Sequence, residues 1–520
     1  MTPKWGIALV AIAVLAIGAL ACLGPEERIA YLFHDDAYYY LGVANHLAHG
    51  GGSTFDGLHR TNGYHPLWCW MLVPVFLVVD DPGIAVRVVG LLWYALAAAS
   101  AVLFWWALKE RVGEWRAVAA AGIFALHPAV MLRLARPNGL ETPLYAALLA
   151  LFLGSWARWP PRLMAVLGLL LGALILSRLD AGMFALAAAA LLVARPHGSR
   201  QILVLAACAS VVVLPVLVWN ALEFGSPMPI SERAVQVYAQ ADRAALGGVA
   251  SPSFWRERAR VAVETLPIEL ARQACGGWSA LEPLWRIGWP VGASILVLVV
   301  GAVVLAMRRF RSEALRLLAA GCVLHYTAYA AWFWAGGEKD FRLYYFMPEG
   351  MLVAAAVGAL LPWPRVVLTA YGAAAIAVGA ARIAGAPSEP GPLAERRLFG
   401  WIRATLPENA VLATTDAGML GFFSGRAVVN LDGLINDERF LAALAAGRRD
   451  RYVVDAPITH LVAGEGALHG WSPKAPDVPP DRHDWMGTLL YEVHRRPGVR
   501  LAEVGRVDGW LVFEIVREPR

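Results

Sequence analysis

Long apolar blocks separated by short polar joints dominate the chain. They cover residues 6–23, 84–107, 117–134, 142–156, 163–177, 181–194, 201–222, 289–307, 315–334, 344–361 and 366–383. A helix crosses the roughly 30 Å hydrocarbon layer with about 20 mostly apolar residues. On that scale the blocks predict about eleven membrane-spanning helices. The first block is similar to a signal peptide, but the many blocks that follow favour a retained first helix. Residues 66–79 are also apolar, yet they reach only about 21 Å as a helix. They are expected to lie in the membrane interface.

The pattern changes near residue 385. Short β-like runs (Val411–Thr415, Ala427–Leu431, Thr459–Val462, Leu511–Ile515) there alternate with helix-like stretches, Leu393–Ala404 and Asp437–Ala446. This spacing predicts a small α/β domain over 385–520, after a membrane domain over 1–384. No internal repeat of 20–50 residues is present.

Composition agrees with the pattern. Of 520 residues, 58% are hydrophobic and 16% charged, against about 25% charged in soluble domains. Disordered, collagen-like and disulfide-scaffold classes are excluded. The net charge of +5 is mild and points to basic cytoplasmic loops rather than to nucleic acid. Distribution matters more than total. If 66–79 does not span, Lys4, Lys109, Arg111, Arg116, Arg158, Arg162, Arg195, Arg200, Arg308, Arg309, Arg311, Arg316 and Arg365 all fall on one side. The positive-inside rule makes that side cytoplasmic. The N-terminus is then cytoplasmic. The loops 24–83, 135–141, 178–180, 223–288 and 335–343 share the outer face with the C-terminal domain.

Those outer loops collect the polar chemistry. The first carries His34-Asp35-Asp36-Ala37-Tyr38-Tyr39-Tyr40, with two adjacent carboxylates just past a membrane helix. Like charges near a low-dielectric boundary raise a carboxyl pKa, which suits a general base or a cation site. The same aspartates suit the cap of the helix that follows, and the sequence leaves both readings open. Next come Arg60-Thr61-Asn62-Gly63-Tyr64-His65-Pro66-Leu67-Trp68, with a turn at Asn62-Gly63. Further loops hold Arg136, Asn138-Gly139-Leu140-Glu141-Thr142, Arg178-Leu179-Asp180 and Arg342-Leu343-Tyr344-Tyr345. Ionisable groups at membrane helix ends are functional candidates by default, although an interfacial arginine can also simply snorkel. A forked guanidinium suits a phosphate. Asp416 and Asp432 fit either acceptor contacts or turn positions.

Asp35-Asp36-Ala-Tyr-Tyr-Tyr, Thr61-Asn62-Gly63-Tyr64-His65-Pro66-Leu67-Trp68, Asn138-Gly139-Leu140-Glu141-Thr142 and Asp416-Ala417-Gly418…Asn430-Leu431-Asp432-Gly433-Leu434 together resemble the GT-C superfamily of integral membrane glycosyltransferases. That group includes protein O-mannosyltransferases, lipid A aminoarabinose transferases and arabinofuranosyltransferases. The resemblance implies a mainly α polytopic fold with interfacial helices in the first outer loop. It also implies transfer of a sugar from a polyprenyl-phosphate donor to a glycan, lipid or protein acceptor, usually with inversion.

The base is carried over to Asp35 first, with Asp36 beside it. Position and chemistry make Arg178, Arg342 and Arg60 the candidates for the donor phosphate. His34, Tyr39, Asn62, His65, Asn138, Glu141, Asp180 and Tyr345 are candidates for substrate contacts. No cofactor and no metal is expected, and no nucleic-acid partner. The expected location is the bacterial plasma membrane. A lipid or glycan transporter is the alternative, but transporters place polar groups near the midplane of repeated halves, and no halves match here.

Overall fold

The computed structural model describes residues 2–24, 29–126, 138–274, 281–333, 343–366, 369, 390–468, 471 and 485–518. The first part is helical throughout: α1 Pro3–Cys22, α2 Asp35–Ala48, α3 Pro66–Phe76, α4 Pro82–Val112, α5 Glu114–Leu126, α6 Thr142–Arg158, α7 Met164–Ser177, α8 Gly182–Val193 and α9 Gly198–Phe224. It continues with α10 Ile230–Ala245, α11 Pro252–Arg260, α12 Leu266–Ala274, α13 Trp289–Phe310, α14 Glu313–Ala328 and α15 Met347–Leu360.

Among the described residues, four helices are long and apolar enough to cross a membrane: α1, α4, α9 and α13. Ten of the eleven expected blocks meet a helix, but most of those helices are shorter than a bilayer crossing. The block 366–383 lies almost wholly outside the described residues. The described residues thus give four candidate spans with shorter apolar helices around them, and the count of eleven is not confirmed. α3 has only 11 residues, roughly 16 Å of helix, too short to span by itself.

α4 is central and packs against α1, α5 and α6, while α9 runs along α7. The outward faces of α9 and α13 stay apolar: Leu203, Val211, Leu222, Val297 and Leu298 are each more than two-thirds exposed. So large an uncovered apolar surface belongs against lipid. This is a membrane protein.

The C-terminal part contains α16 Pro390–Thr405, β1 Val411–Thr414, α17 Gly418–Phe423, β2 Ala427–Asn430, α18 Glu438–Ala445, α19 Arg449–Asp455, β3 His460–Gly464, α20 Trp485–His494, β4 Val499–Val507 and β5 Trp510–Arg517. The strands form one sheet in the order β2-β1-β3-β5-β4. β1 is parallel to β2 and β3, whereas β5 is antiparallel to β3 and β4. The sequence pattern reveals four of these strands. β4 escapes it because a bulge between Glu503 and Gly505 breaks the alternation. The β4–β5 turn is Asp508-Gly509, both with positive φ, as a two-residue hairpin requires.

The carboxyl ends of β1 and β2 point their loops, which carry Asp416 and Asp432, at α2. Ligands of open α/β sheets gather at such strand ends. Here that edge meets the acidic pair.

Candidate active site

α2 starts at Asp35, with His34 as N-cap; the His34 Nδ1 accepts the Asp36 N–H at 3.4 Å. Neither aspartate is the cap. Both occupy the first turn, where the helix dipole favours negative charge. Residues four apart share a helix face, so α2 carries two rows, Asp35 with Tyr39 and Asp36 with Tyr40.

The first row grips the C-terminal part. The Asp35 carboxylate accepts the Gly418 N–H at 2.9 Å and the Met419 N–H at 2.7 Å. Tyr39 Oη accepts the Asn430 amide at 2.8 Å and the Ala417 N–H at 3.2 Å, and donates to Asp432 at 3.3 Å. Asp432 also accepts the Leu434 and Asp416 N–H groups. Burial pushes the Asp35 carboxyl up to about 7, against the two N–H bonds and with help from Asp36 and Asp416. Burial raises Asp432 to about 6. The two parts touch so closely that a Cβ on Gly418 would lie 2.1 Å from the Asp35 carbonyl oxygen. One on Gly63 would lie 1.9 Å from that of Leu434. The glycines of both motifs are explained by these approaches.

The second row faces the membrane helices. Tyr40 donates to Glu141 at 3.2 Å and its hydroxyl accepts the His65 N–H at 3.4 Å. Glu141, 2% exposed at the start of α6, takes Arg178 Nη1 at 2.7 Å. Arg178 sits in the break between α7 and α8 and spends its other nitrogens on Asp180, at 2.7 and 3.2 Å. Its guanidinium lies 5.7 Å from the Tyr145 ring and 5.4 Å from that of Tyr345. Asp180 accepts the Tyr329 hydroxyl at 2.9 Å.

The structure therefore brings together Tyr40, His65, Glu141, Arg178, Asp180 and Tyr345, with Asp36 one helical turn before Tyr40 on α2 and its own carboxylate beside His34. Burial holds the His65 ring below its ordinary pKa, although Glu141 works in the other direction. Other candidates serve the scaffold. Asn62 Oδ1 fixes the start of α10 through the Ile230 N–H at 2.9 Å. Asn138 bonds Leu140 and Thr142 within its own turn, and its carbonyl accepts the His34 N–H. Arg60 pairs with Glu223 at a mostly exposed position. Arg136 and Arg342 lie outside the described residues. His34, His59 and His65 end in three separate settings, with His59 on Asp56 at 2.6 Å. No three His, Cys, Asp or Glu side chains converge as a metal-ligand set among the described residues.

Tyr329, His325 and Glu349 join the network unannounced by motif, and Tyr40 joins it from the motif without having been singled out. A signal for two of them was available: His325 and Glu349 are lone ionisable groups inside apolar blocks.

The fold is similar to those of solved structures over nearly the whole chain. ArnT from Cupriavidus metallidurans bound to undecaprenyl phosphate is 11% identical, with a TM-score of 0.57 over 99% of this chain and 98% of that one. Its apo form gives 12%, 0.57 and the same coverage. The Archaeoglobus fulgidus oligosaccharyltransferase in complex with Zn and sulfate is 13% identical, with a TM-score of 0.53 over 98% of this chain and 73% of that one. A family profile described as a domain of unknown function (DUF8728) matches residues 391–485. No curated protein matches the chain by sequence.

Proposed function

We propose that this chain is a membrane glycosyltransferase that moves a sugar from a polyprenyl-phosphate donor to a hydroxyl of a cell-envelope glycan, lipid or protein acceptor. The observation that carries this reading is the second row of α2, which sets the Asp36 carboxylate one turn from the Tyr40–Glu141–Arg178 network. One group suits a proton acceptor, the other a leaving phosphate.

In the proposed reaction Asp36 takes the proton of the acceptor hydroxyl. The oxygen attacks the anomeric carbon, and the bond from that carbon to the phosphate oxygen breaks. Polyprenyl phosphate leaves with the electron pair and the added negative charge, which Arg178 neutralises. A single displacement inverts the anomeric centre. Asp35 comes first on sequence grounds, but both its oxygens hold backbone N–H groups of the C-terminal part. It is assigned the role of fixing α2 against that part, and Asp36 becomes the base. The reaction is written without a metal.

The similarity to an ArnT structure bound to undecaprenyl phosphate supports the donor class. The one-sided placement of Lys and Arg supports an outer-face site in a bacterial plasma membrane, with a cytoplasmic N-terminus. The domain division at residue 384 is part of the same reading. The test offers purified protein a panel of polyprenyl-phosphate sugars and follows which is consumed. Consumption of one, lost in Asp36→Asn, is expected; no binding or turnover of any would overturn the reading.

A further inference from the structure

Arg178 is not free to receive a phosphate as it stands. Its side chain is 3% exposed, and each of its three guanidinium nitrogens already donates to Glu141 or Asp180, whose two carboxylates outnumber its single charge. One carboxylate must let go before an anion can bind. A carboxylate abandoned in a buried site is costly, so the release needs a second partner already in place.

Asp180 has one. His325 on α14 has no exposed side-chain surface, and its Nε2 stands 3.5 Å from Asp180 Oδ2. That nitrogen has no formed hydrogen bond, and the gap exceeds the usual 2.7–3.2 Å. The other ring nitrogen, Nδ1, is 2.8 Å from Glu349 Oε1 on α15. A neutral imidazole has a single N–H, whereas ionised carboxylates only accept. The protonated ring satisfies both neighbours, and its slack lies on the Asp180 side. Tyr329, whose hydroxyl already bonds Asp180, packs its ring 4.6 Å from that of His325.

On the reading above, we infer that His325 is a positioning residue that takes over Asp180 when Arg178 exchanges this carboxylate for the donor's phosphate. After the exchange Asp180 is held by His325 and the phosphate by Arg178, which keeps Glu141 on its remaining nitrogen. Glu349 holds the ring in place from the far side.

Binding of undecaprenyl phosphate to the full chain in lipid nanodiscs tests this without knowledge of the sugar. His325→Gln is expected to weaken binding by about tenfold, a coupling near 1.4 kcal/mol. Adding Asp180→Asn is expected to bring affinity back to near the wild-type value, because no carboxylate is then stranded. A merely structural histidine predicts instead that the double variant binds worse than the single one. Wild-type affinity in His325→Gln, or no recovery in the double variant, overturns the inference while leaving the donor reading intact. Absence of binding by the wild type removes both. Should His325→Gln not fold, Glu349→Gln is expected to weaken binding in the same direction, and unchanged affinity there overturns the inference.

Discussion

Asp35 accepts the Gly418 amide at 2.9 Å across a sequence separation of 383 residues. This bond ties the first turn of an interfacial helix to the loop after a β-strand of the C-terminal part. It commits one of two adjacent aspartates to holding the two parts together, and on the proposed reading its neighbour is the base.

The two aspartates should therefore separate in function. Asp36→Asn is expected to lower sugar transfer about 10²–10⁴-fold, the range for loss of a general base, with thermal stability little changed. Asp35→Asn should retain more activity and lose thermal stability. Steady-state transfer assays and melting curves on the same preparations decide it; the reverse ranking would return the base to Asp35.

The burial of Asp35 sets a pH dependence. An ordinary aspartate titrates near 3.8, but Asp35 holds its proton to about 7. Between those values the folded chain binds a proton that the unfolded chain has released, so this contribution is complete below pH 4 and lost as pH rises through 7. Asp432, raised to about 6, acts in the same sense. Melting temperature should rise as pH is lowered from 7.5 to 5, and Asp35→Asn should flatten that slope. Equal slopes in the two proteins would refute the assignment.

Close backbone contact makes Gly418 intolerant of a side chain. Gly418→Ala places a Cβ against the Asp35 carbonyl and should cost about 1–3 kcal/mol, as overpacking does. Limited proteolysis should then release the C-terminal part faster than in the wild type. Unchanged proteolysis would mean that the two parts do not hold each other here.

Arg178→Lys keeps the charge and gives up the fork. Loss of one charge-assisted bond is worth about 1.5–3 kcal/mol, so donor affinity should fall about 10–100-fold. Titration with undecaprenyl phosphate reads the change, and an unaltered affinity would remove Arg178 from the phosphate site.

Orientation can be checked on intact cells. A cysteine at exposed Glu408 should react with a membrane-impermeant maleimide, whereas one at exposed Arg162 should react only after lysis. The opposite pattern would place the site on the cytoplasmic face.

What the sequence determined by itself follows from local physics. Apolar block length marks ten helices close to where they stand, because hydrocarbon length and helix rise are fixed. Alternation marks four strands of the sheet, and Asn62-Gly63 marks a turn. The acidic pair and the buried Arg178 also stand out, because charge is scarce in such a chain. Tertiary structure alone decided which aspartate is committed: the i, i+4 rows of α2 are visible in sequence, but the partner of each row is not. Gly418, Met419 and Asn430 reach one row from nearly 400 residues away, while Glu141 and Arg178 reach the other. It also decided that His325 and Glu349 belong to the Arg178 network, since hydrogen bonds across helices depend on packing geometry that no local pattern encodes.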